Sequence, residues 1–471
     1  MNLQPNTSPA QEFDLVIVGA GPAGMAAADC GVRHGLNTLL IDEQPEIGGQ
    51  IYRCILSADS QREEILGPDY SHGRLIAQRV AEHVTTGRLA YWPEASVWQV
   101  DTDRTLHVLR NGRSRTIRGQ AVILATGAME RPFPVPGWTL PGVMTAGAGQ
   151  ILLKSASLIP SDPVVLAGCG PLLYLLAVQY LRAGAKIRAI LDTTTGPEWK
   201  RAWRHGRGIL KGWKYAHKGM GLLREIKNSN VPFCRGVNAL RMEGSDALER
   251  VRYSHEGREY DLEASVCLLH QGVVPNTQIT WSIRAQHQWD ATQLCWVPAI
   301  NEWCELSVPG FFVAGDGASI GGAPVAALQG ELAAWGAVRS LDRSAHDAAD
   351  AQAVKLRRQI EDHYAIRPFL NTQYRPRDEF RIPPDDVLVC RCEEVTAGEI
   401  RAQVKLGCTG PNQTKSFSRC GMGPCQGRMC GLTVTEIIAD ATQQSPKDVG
   451  YYRIRPPLRA LTLGQLAQLE P

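Results

Sequence analysis

The residues with the most pointed chemistry lie near the C-terminus. Cys390 and Cys392 form a C-x-C pair, and Cys420, Cys425 and Cys430 follow in FSRCGMGPCQGRMCG. Thiolates are soft ligands, and four of them suit an iron–sulfur cluster or a zinc ion. Cys390, Cys392 and two of the other three could close such a site. Spacing alone does not choose the second pair, and packed free thiols are the bland alternative. Six of the 13 cysteines lie between Cys390 and Cys430; the other seven are scattered over the preceding 389 residues. Met1–Glu12 has neither a basic start nor an apolar core, so no secretory leader is expected there. With an odd cysteine count, that points to a reducing compartment, with thiols or ligands in place of disulfides.

A second constellation opens the chain. Asp14–Val18 is a short apolar run that leads into Gly19-Ala20-Gly21-Pro22-Ala23-Gly24. An Ala-rich helix pattern follows to His34, then the strand pattern Thr38–Ile41, then Asp42. Gly19 permits a tight turn, Gly21 lets a pyrophosphate approach the backbone, and Gly24 lets the helix pack on the strand. The helix N-terminus adds free N–H groups and positive dipole. Asp42 is placed to accept a ribose diol, with Glu43 as the second candidate. A lone G-x-G-x-x-G is weak; this strand–helix–strand–acid context makes it a dinucleotide site.

The elements around these residues set the frame. At 471 residues the chain should hold two to four domains. A net charge of +3 argues against a nucleic-acid binder, and 44% hydrophobic residues are enough for packed cores. Val164–Leu181 is apolar enough to imitate a membrane span. With Gly168, Gly170 and Pro171 near its start it reads as strand, turn and buried helix. This second strand–glycine–helix–strand unit ends near Asp192. Its third glycine position is Leu173, so the fold is expected to persist with an altered nucleotide site. Ala121–Gly137 and Pro309–Ala318 read as buried strands that end in Ala125-Thr126-Gly127 and Gly315-Asp316. Trp199–Lys227 is basic, with Trp199, Trp203, Leu210 and Trp213 at helical spacing. It is a solvated insertion, a docking surface or an anionic-lipid surface. Thr396 and Glu399 form a T-x-x-E capping box that opens a helix stopped at Gly407. A further helix is expected at Leu432–Thr442.

The order of these motifs resembles the two-dinucleotide-domain flavoprotein reductases of the glutathione and thioredoxin reductase type, over residues 13–340. That resemblance implies that Gly19, Gly21, Pro22, Ala23, Gly24 and Asp42 (or Glu43) hold the ADP half of FAD. It also implies that Gly49 and Gln50 lie near the isoalloxazine, and that Thr126, Gly127, Gly315 and Asp316 line the rest of the site. The disulfide chemistry of those enzymes is not implied. Only Cys54 follows the Gly-Gly segment, and the second domain has no C-x-x-C, so Cys54 and Cys169 read as packed thiols. The C-terminal segment resembles the [2Fe-2S] domain of bacterioferritin-associated ferredoxin, in the variant that ends the anaerobic glycerol-3-phosphate dehydrogenase large subunit. This implies the ligands Cys390, Cys392, Cys425 and Cys430 and leaves Cys420 outside.

Together with GAMERPFPVPGWTLPGVMTAGAG from Gly127, VLAGCGPLLYLL from Val165 and the Cys390–Gly431 segment, the chain resembles the α (A) subunits of heteromeric FAD-dependent amino-acid and opine dehydrogenases. That family includes the corresponding subunits of octopine and nopaline oxidase, the hydroxyproline and dye-linked proline dehydrogenases, and the second of the hydrogen cyanide synthase subunits.

The expected fold is α/β: two dinucleotide-binding domains plus a small, mainly α-helical iron–sulfur domain. Residues 1–12 are a polar tail, and 13–160 with 271–340 form a discontinuous FAD domain. Residues 161–270 form the second domain, with the insertion at 199–227. Residues 341–389 are a linker that opens with a helix, 390–445 the [2Fe-2S] domain and 446–471 a tail. The resemblance implies an electron-transfer subunit whose amino-acid-oxidase-like β partner oxidises a secondary amine, of opine, proline or hydroxyproline type. It further implies an FMN at the subunit junction and leaves open a small γ subunit, NAD(P) in the second domain and peripheral contact of a cytoplasmic protein with the membrane. No catalytic base is assigned; His270 either faces the flavin or is a satisfied core histidine. The alternative is a stand-alone NAD(P)H-dependent flavin and iron–sulfur reductase. An iron-storage or zinc-regulated binding protein is the third class.

Overall fold

The computed structural model describes residues 10–469, except 343 and 345. Most of the expected N-terminal tail, residues 1–9, lies outside the described residues.

The first layer is a seven-stranded sheet. Leu89–Trp92, Thr38–Ile41, Gln11–Val18 and Arg113–Leu124 run parallel in that order, and Phe311–Val313 pairs in parallel with Arg113–Leu124. Thr105–Arg110 and Ala95–Val100 extend it antiparallel. The central strands are continuous Val, Ile and Leu runs because helices or loops cover both faces. The glycine turn leads into the helix Pro22–Arg33, which packs on the long helix Ala323–Leu341.

The second layer is a five-stranded parallel sheet in the order Phe233–Arg235, Ile187–Asp192, Val164–Cys169, Val266–Gln271, Val143–Thr145. Val164–Cys169 and the helix Pro171–Arg182 are the strand and helix expected from the apolar run. The edge strand Val143–Thr145 and the helix Ala146–Ala156 stand with this sheet, so residues from 143 belong structurally to the second domain and not the first. Two short antiparallel strands, Ala128–Glu130 and Val273–Pro275, carry the chain across between the domains. Among the described helices none is long and apolar enough to cross a membrane.

The C-terminal third packs onto the first domain. In the 341–389 segment, read as helix plus linker, the helix His346–Tyr364 buries Ala349, Ala353 and Leu356 in the first domain's core. The 446–471 segment is no loose tail over its described residues. Tyr452, Ile454 and Leu458 are buried, and the Leu458 amide donates to the Trp98 carbonyl at 2.7 Å. The cysteine domain and the sheet of the first domain share one core, in which Val389, Ile437, Ile438 and Tyr452 join Val16, Leu39, Val122 and Phe311. The physical reason is area. A cysteine domain of this size leaves an apolar face that it cannot cover alone, and the sheet supplies the cover.

A buried ion pair, Arg381 with Glu436, ties the segment before the cysteine domain to the helix Gly431–Thr442. Their side chains are 8% and 3% exposed. Arg381→Met should leave the Glu436 carboxylate buried and unpaired and cost about 3–5 kcal/mol. Thermal melts followed at the cysteine domain should show a clear drop in Tm; an unchanged melt would contradict this role.

Candidate functional site

Four backbone segments converge beside the first glycine turn. Gly19 lies at φ +106°, and a Cβ there would sit 2.3 Å from the Ala125 carbonyl oxygen. Gly24 sits so close that a Cβ would lie 1.7 Å from the Gly19 carbonyl oxygen. Gly21 faces the opposite situation: a Cβ there would meet only the Gly49 Cα, at 3.8 Å. This is the open flank that a pyrophosphate approach requires. Pro22 and Ala23 form the first turn of the helix Pro22–Arg33, with no side-chain cap on its free amides. The Gly48–Gln50 turn closes over this flank, its Gly48 amide bonded to the Ala20 carbonyl at 2.8 Å.

Asp42 ends the second strand, as expected. Its carboxylate accepts from the Ala20 amide at 2.5 Å and the Gln44 amide at 2.7 Å. Burial raises its pKa, and the two backbone amides oppose that shift. Glu43 is placed differently: both of its oxygens pair with Arg459 from the C-terminal segment, at 2.5 and 2.6 Å. A Cβ at Gly317 would meet Gly127 and Thr126 Oγ1 at 3.4 Å. The Gly315 amide donates to Gln329 at 2.9 Å. Asp316 accepts from the amides of Gly321 and Gly322 at 2.9 and 2.8 Å, which shapes the turn before the helix Ala323–Leu341. The backbone cradle and its open flank at Gly21 fit FAD.

Sequence reasoning missed two neighbours of this cradle and one residue at the second glycine turn. Asn276 closes it: its amide donates to the Gly127 carbonyl at 3.0 Å, and its carbonyl accepts from Thr126 Oγ1 at 3.1 Å. Lys154, only 3% exposed, donates to the Gln50 carbonyl and to Gln150, each at 3.0 Å. Burial pulls its pKa down to about 7. Tyr374, treated below, is the third. No local spacing marks any of them.

The segment at Tyr374 packs against the second domain's glycine turn. Tyr174, in the first turn of its helix, donates to Asp192 at 2.8 Å. Asp192 also accepts from the Thr194 amide at 2.8 Å. Tyr374, from the segment read as linker, packs edge-on against Tyr174 at 5.9 Å. The Cys169 thiol of the glycine turn donates to Gln271 at 3.2 Å and to the Tyr374 carbonyl at 3.5 Å. Burial pushes Cys169 up to about 12, and burial also raises Cys54, so neither is an activated thiol. His270 is buried and bonded through Nδ1 to Glu130 at 2.7 Å, a satisfied histidine between the crossover strand and the second sheet.

At the cysteine site, the strand Leu388–Cys390 is held by Trp138, whose Nε1 donates to the Leu388 carbonyl at 2.7 Å. The capping box at Thr396 and Glu399 is present and opens the helix Ala397–Lys405. The sulfurs of Cys390, Cys420 and Cys430 lie within 4.8 Å of one another, all three buried. Cys392 and Cys425 form a second hydrogen-bonded pair at the more exposed edge. Hydrogen bonds from Cys420 and Cys430 hold Cys390 well below the ordinary thiol pKa. Cys420, a non-ligand by the resemblance, lies inside the thiol group. Its helix-end position delivers it there, and Tyr452 fixes it by donating to the Cys420 carbonyl at 2.9 Å. Three convergent thiols and the adjoining Cys392–Cys425 pair suit an iron–sulfur cluster by donor chemistry.

The basic insertion forms the helices Gly196–Ala202 and Trp213–Asn228 with a short helix between them. Trp199 packs edge-on to Phe369. Trp203, Leu210 and Trp213 remain 62%, 80% and 56% exposed, so its apolar stripe is only partly covered by its own domain.

These features define a two-dinucleotide-domain flavoprotein joined to a thiol-rich domain. Residues 13–330 match the family described as pyridine nucleotide-disulphide oxidoreductase, and residues 386–469 match the sarcosine oxidase A3 domain. The chain is 43% identical over 466 residues to the A subunit of opine oxidase from Rhizobium meliloti, covering 97% of this chain and 88% of that one. It is 30% identical over 461 residues to the HcnB subunit of hydrogen cyanide synthase from Pseudomonas protegens, covering 94% and 95%. Its fold resembles L-proline dehydrogenase from P. horikoshii at a TM-score of 0.71 and 18% identity, over 98% of this chain and 80% of that one. The chain belongs to the pyridine nucleotide-disulphide oxidoreductases, in the family of heteromeric flavin-dependent oxidoreductase subunits that includes the opine oxidase A subunits.

Proposed function

We propose that the chain is the flavin and iron–sulfur electron-transfer subunit of an enzyme that oxidises a secondary-amine amino acid on an amino-acid-oxidase-like partner. FAD, when bound, accepts electrons in pairs and releases them singly to a [2Fe-2S] cluster. The chain's own residues bind and orient. The helix Pro22–Arg33 and Gly21 receive the pyrophosphate, Asp42 the ribose, and Gly49–Gln50, Thr126–Gly127 and Asp316 the flavin end. Cys390, Cys392, Cys425 and Cys430 would hold the cluster, and Cys420 is a buried neighbour.

The observation that carries this reading is adjacency. The thiol domain shares a core with the flavin-type sheet, and its Cys425 loop touches the segment that closes Thr126–Gly127. The alternative, a stand-alone NAD(P)H reductase, needs an open crevice at Gly168–Gly170. Tyr374 packs against that turn, its carbonyl accepting from Cys169, and Tyr174 engages Asp192. Electrons then enter from a partner subunit, with FMN at the junction as the further expectation. Anaerobic reduction of the purified chain by NADH, compared with reduction by amine plus partner, distinguishes the two readings.

A further inference from the structure

Resting on the flavin and iron–sulfur reading above, we propose that Gln278 is the positioning residue that holds the cluster loop on the flavin site and thereby sets the rate of electron passage between them. Gln278 opens the short helix Gln278–Ser282 and is only 7% exposed. Two residues earlier, Asn276 is bonded to both Thr126 and Gly127. From the other side of the same segment, Gln278 Nε2 donates to the Gln426 carbonyl at 3.0 Å. Gln426 is the covalent neighbour of Cys425. A continuous route of covalent bonds and two hydrogen bonds thus runs from Gly127 through Asn276, Gln278 and Gln426 to Cys425.

The same helix makes a second contact. Trp281 stacks on Tyr451 of the C-terminal segment, with ring centroids 5.4 Å apart and planes 19° apart. This stack supplies apolar docking that survives changes at Gln278. Gln278 Oε1 has no hydrogen-bond partner among the described residues. The side chain lines a cavity of about 30 Å³ with Arg428, Leu432 and Tyr451. A buried amide in that setting is retained for the one bond it makes, because burying it costs more than burying a leucine. In each passage the reduced flavin loses one electron and one iron goes from ferric to ferrous. No bond between heavy atoms changes, and the flavin protons go to solvent.

The test uses the full chain loaded with FAD and iron. The flavin is photoreduced anaerobically, and flavin and cluster are followed separately by absorbance and by electron paramagnetic resonance. Gln278→Leu should keep the iron content and the cluster g-values. Its cluster reduction should slow on the order of tenfold, as the docked loop loses the population that one hydrogen bond maintains. Gln278→Glu should be slow at high pH and recover toward the wild-type rate as the carboxyl protonates and regains a donor; burial places that recovery above the ordinary carboxylate range. In the iron-free chain, Gln278→Leu should also raise amide exchange across residues 425–428. Unchanged cluster reduction in both variants overturns the proposal. A wild-type chain whose cluster never takes an electron from reduced flavin overturns the function reading instead. If Gln278→Leu fails to fold, the pH profile of Gln278→Glu decides, and a flat slow profile counts against the role.

Discussion

Cys425→Ser should yield a chain that keeps its FAD and loses its iron, with amine-dependent electron flow to an external dye falling by two orders of magnitude or more. The reasoning starts from ligand chemistry. A serine oxygen is a hard donor, and cluster irons bound through four thiolates tolerate such a replacement poorly. Cys392→Ser should behave alike, since those two thiols already pair at the edge of the group. Cys390→Ser and Cys430→Ser should lose iron and some stability as well, because both positions are buried in the shared core. Cys420→Ser is the informative contrast. Its sulfur lies with those of Cys390 and Cys430, yet the proposed set of four ligands does not need it. Iron analysis of the five single variants should show four losses and one retention. Loss of iron in Cys420→Ser would make it a ligand.

Gly24→Ala should abolish both FAD binding and the stability of the first domain. The added methyl would sit 1.7 Å from the Gly19 carbonyl oxygen, which is backbone and cannot swing away. The helix Pro22–Arg33 must retreat from its strand, at about 3 kcal/mol or more, the upper end for overpacking. Its N-terminal amides then leave the phosphate position. Gly21→Ala separates the two effects. There the methyl meets only the Gly49 Cα, at 3.8 Å, so the fold should persist while the pyrophosphate is displaced. FAD content and apo-protein Tm, measured side by side, should both fall in the first variant. Only FAD content should fall in the second. Full FAD occupancy in Gly24→Ala would refute the cradle.

What the sequence made legible was local. The first strand, glycine turn, helix and acid follow from spacing within about thirty residues, and the structure places Asp42 at the strand end as read. The capping box at Thr396 is equally local. What stayed hidden depends on distant partners. Glu43, the second candidate for the ribose, pairs with Arg459, 416 residues away, which no local spacing shows. Tyr374 lies in a stretch that reads as linker, and only the folded chain lays it over Cys169 and Tyr174. Cys420 carries no spacing signal; the turn after Pro411–Ser418 and the Tyr452 hydroxyl carry it into the thiol group. The domain borders moved for a related reason. Val143–Thr145 is too short to announce its sheet, and its partner Val266–Gln271 follows more than a hundred residues later.

On the proposed reading, this chain carries electrons that it does not take from a soluble nicotinamide. The direct test is anaerobic mixing of the purified, FAD- and iron-loaded chain with excess NADH and, separately, NADPH, while flavin absorbance is followed. The proposed reading expects no rapid bleaching, with Tyr374 packed on Cys169 of the second glycine turn and Tyr174 engaging Asp192. Adding the amine substrate together with the amino-acid-oxidase-like partner should then bleach the flavin and reduce the cluster. Rapid bleaching of the isolated chain by NADH or NADPH would contradict the account.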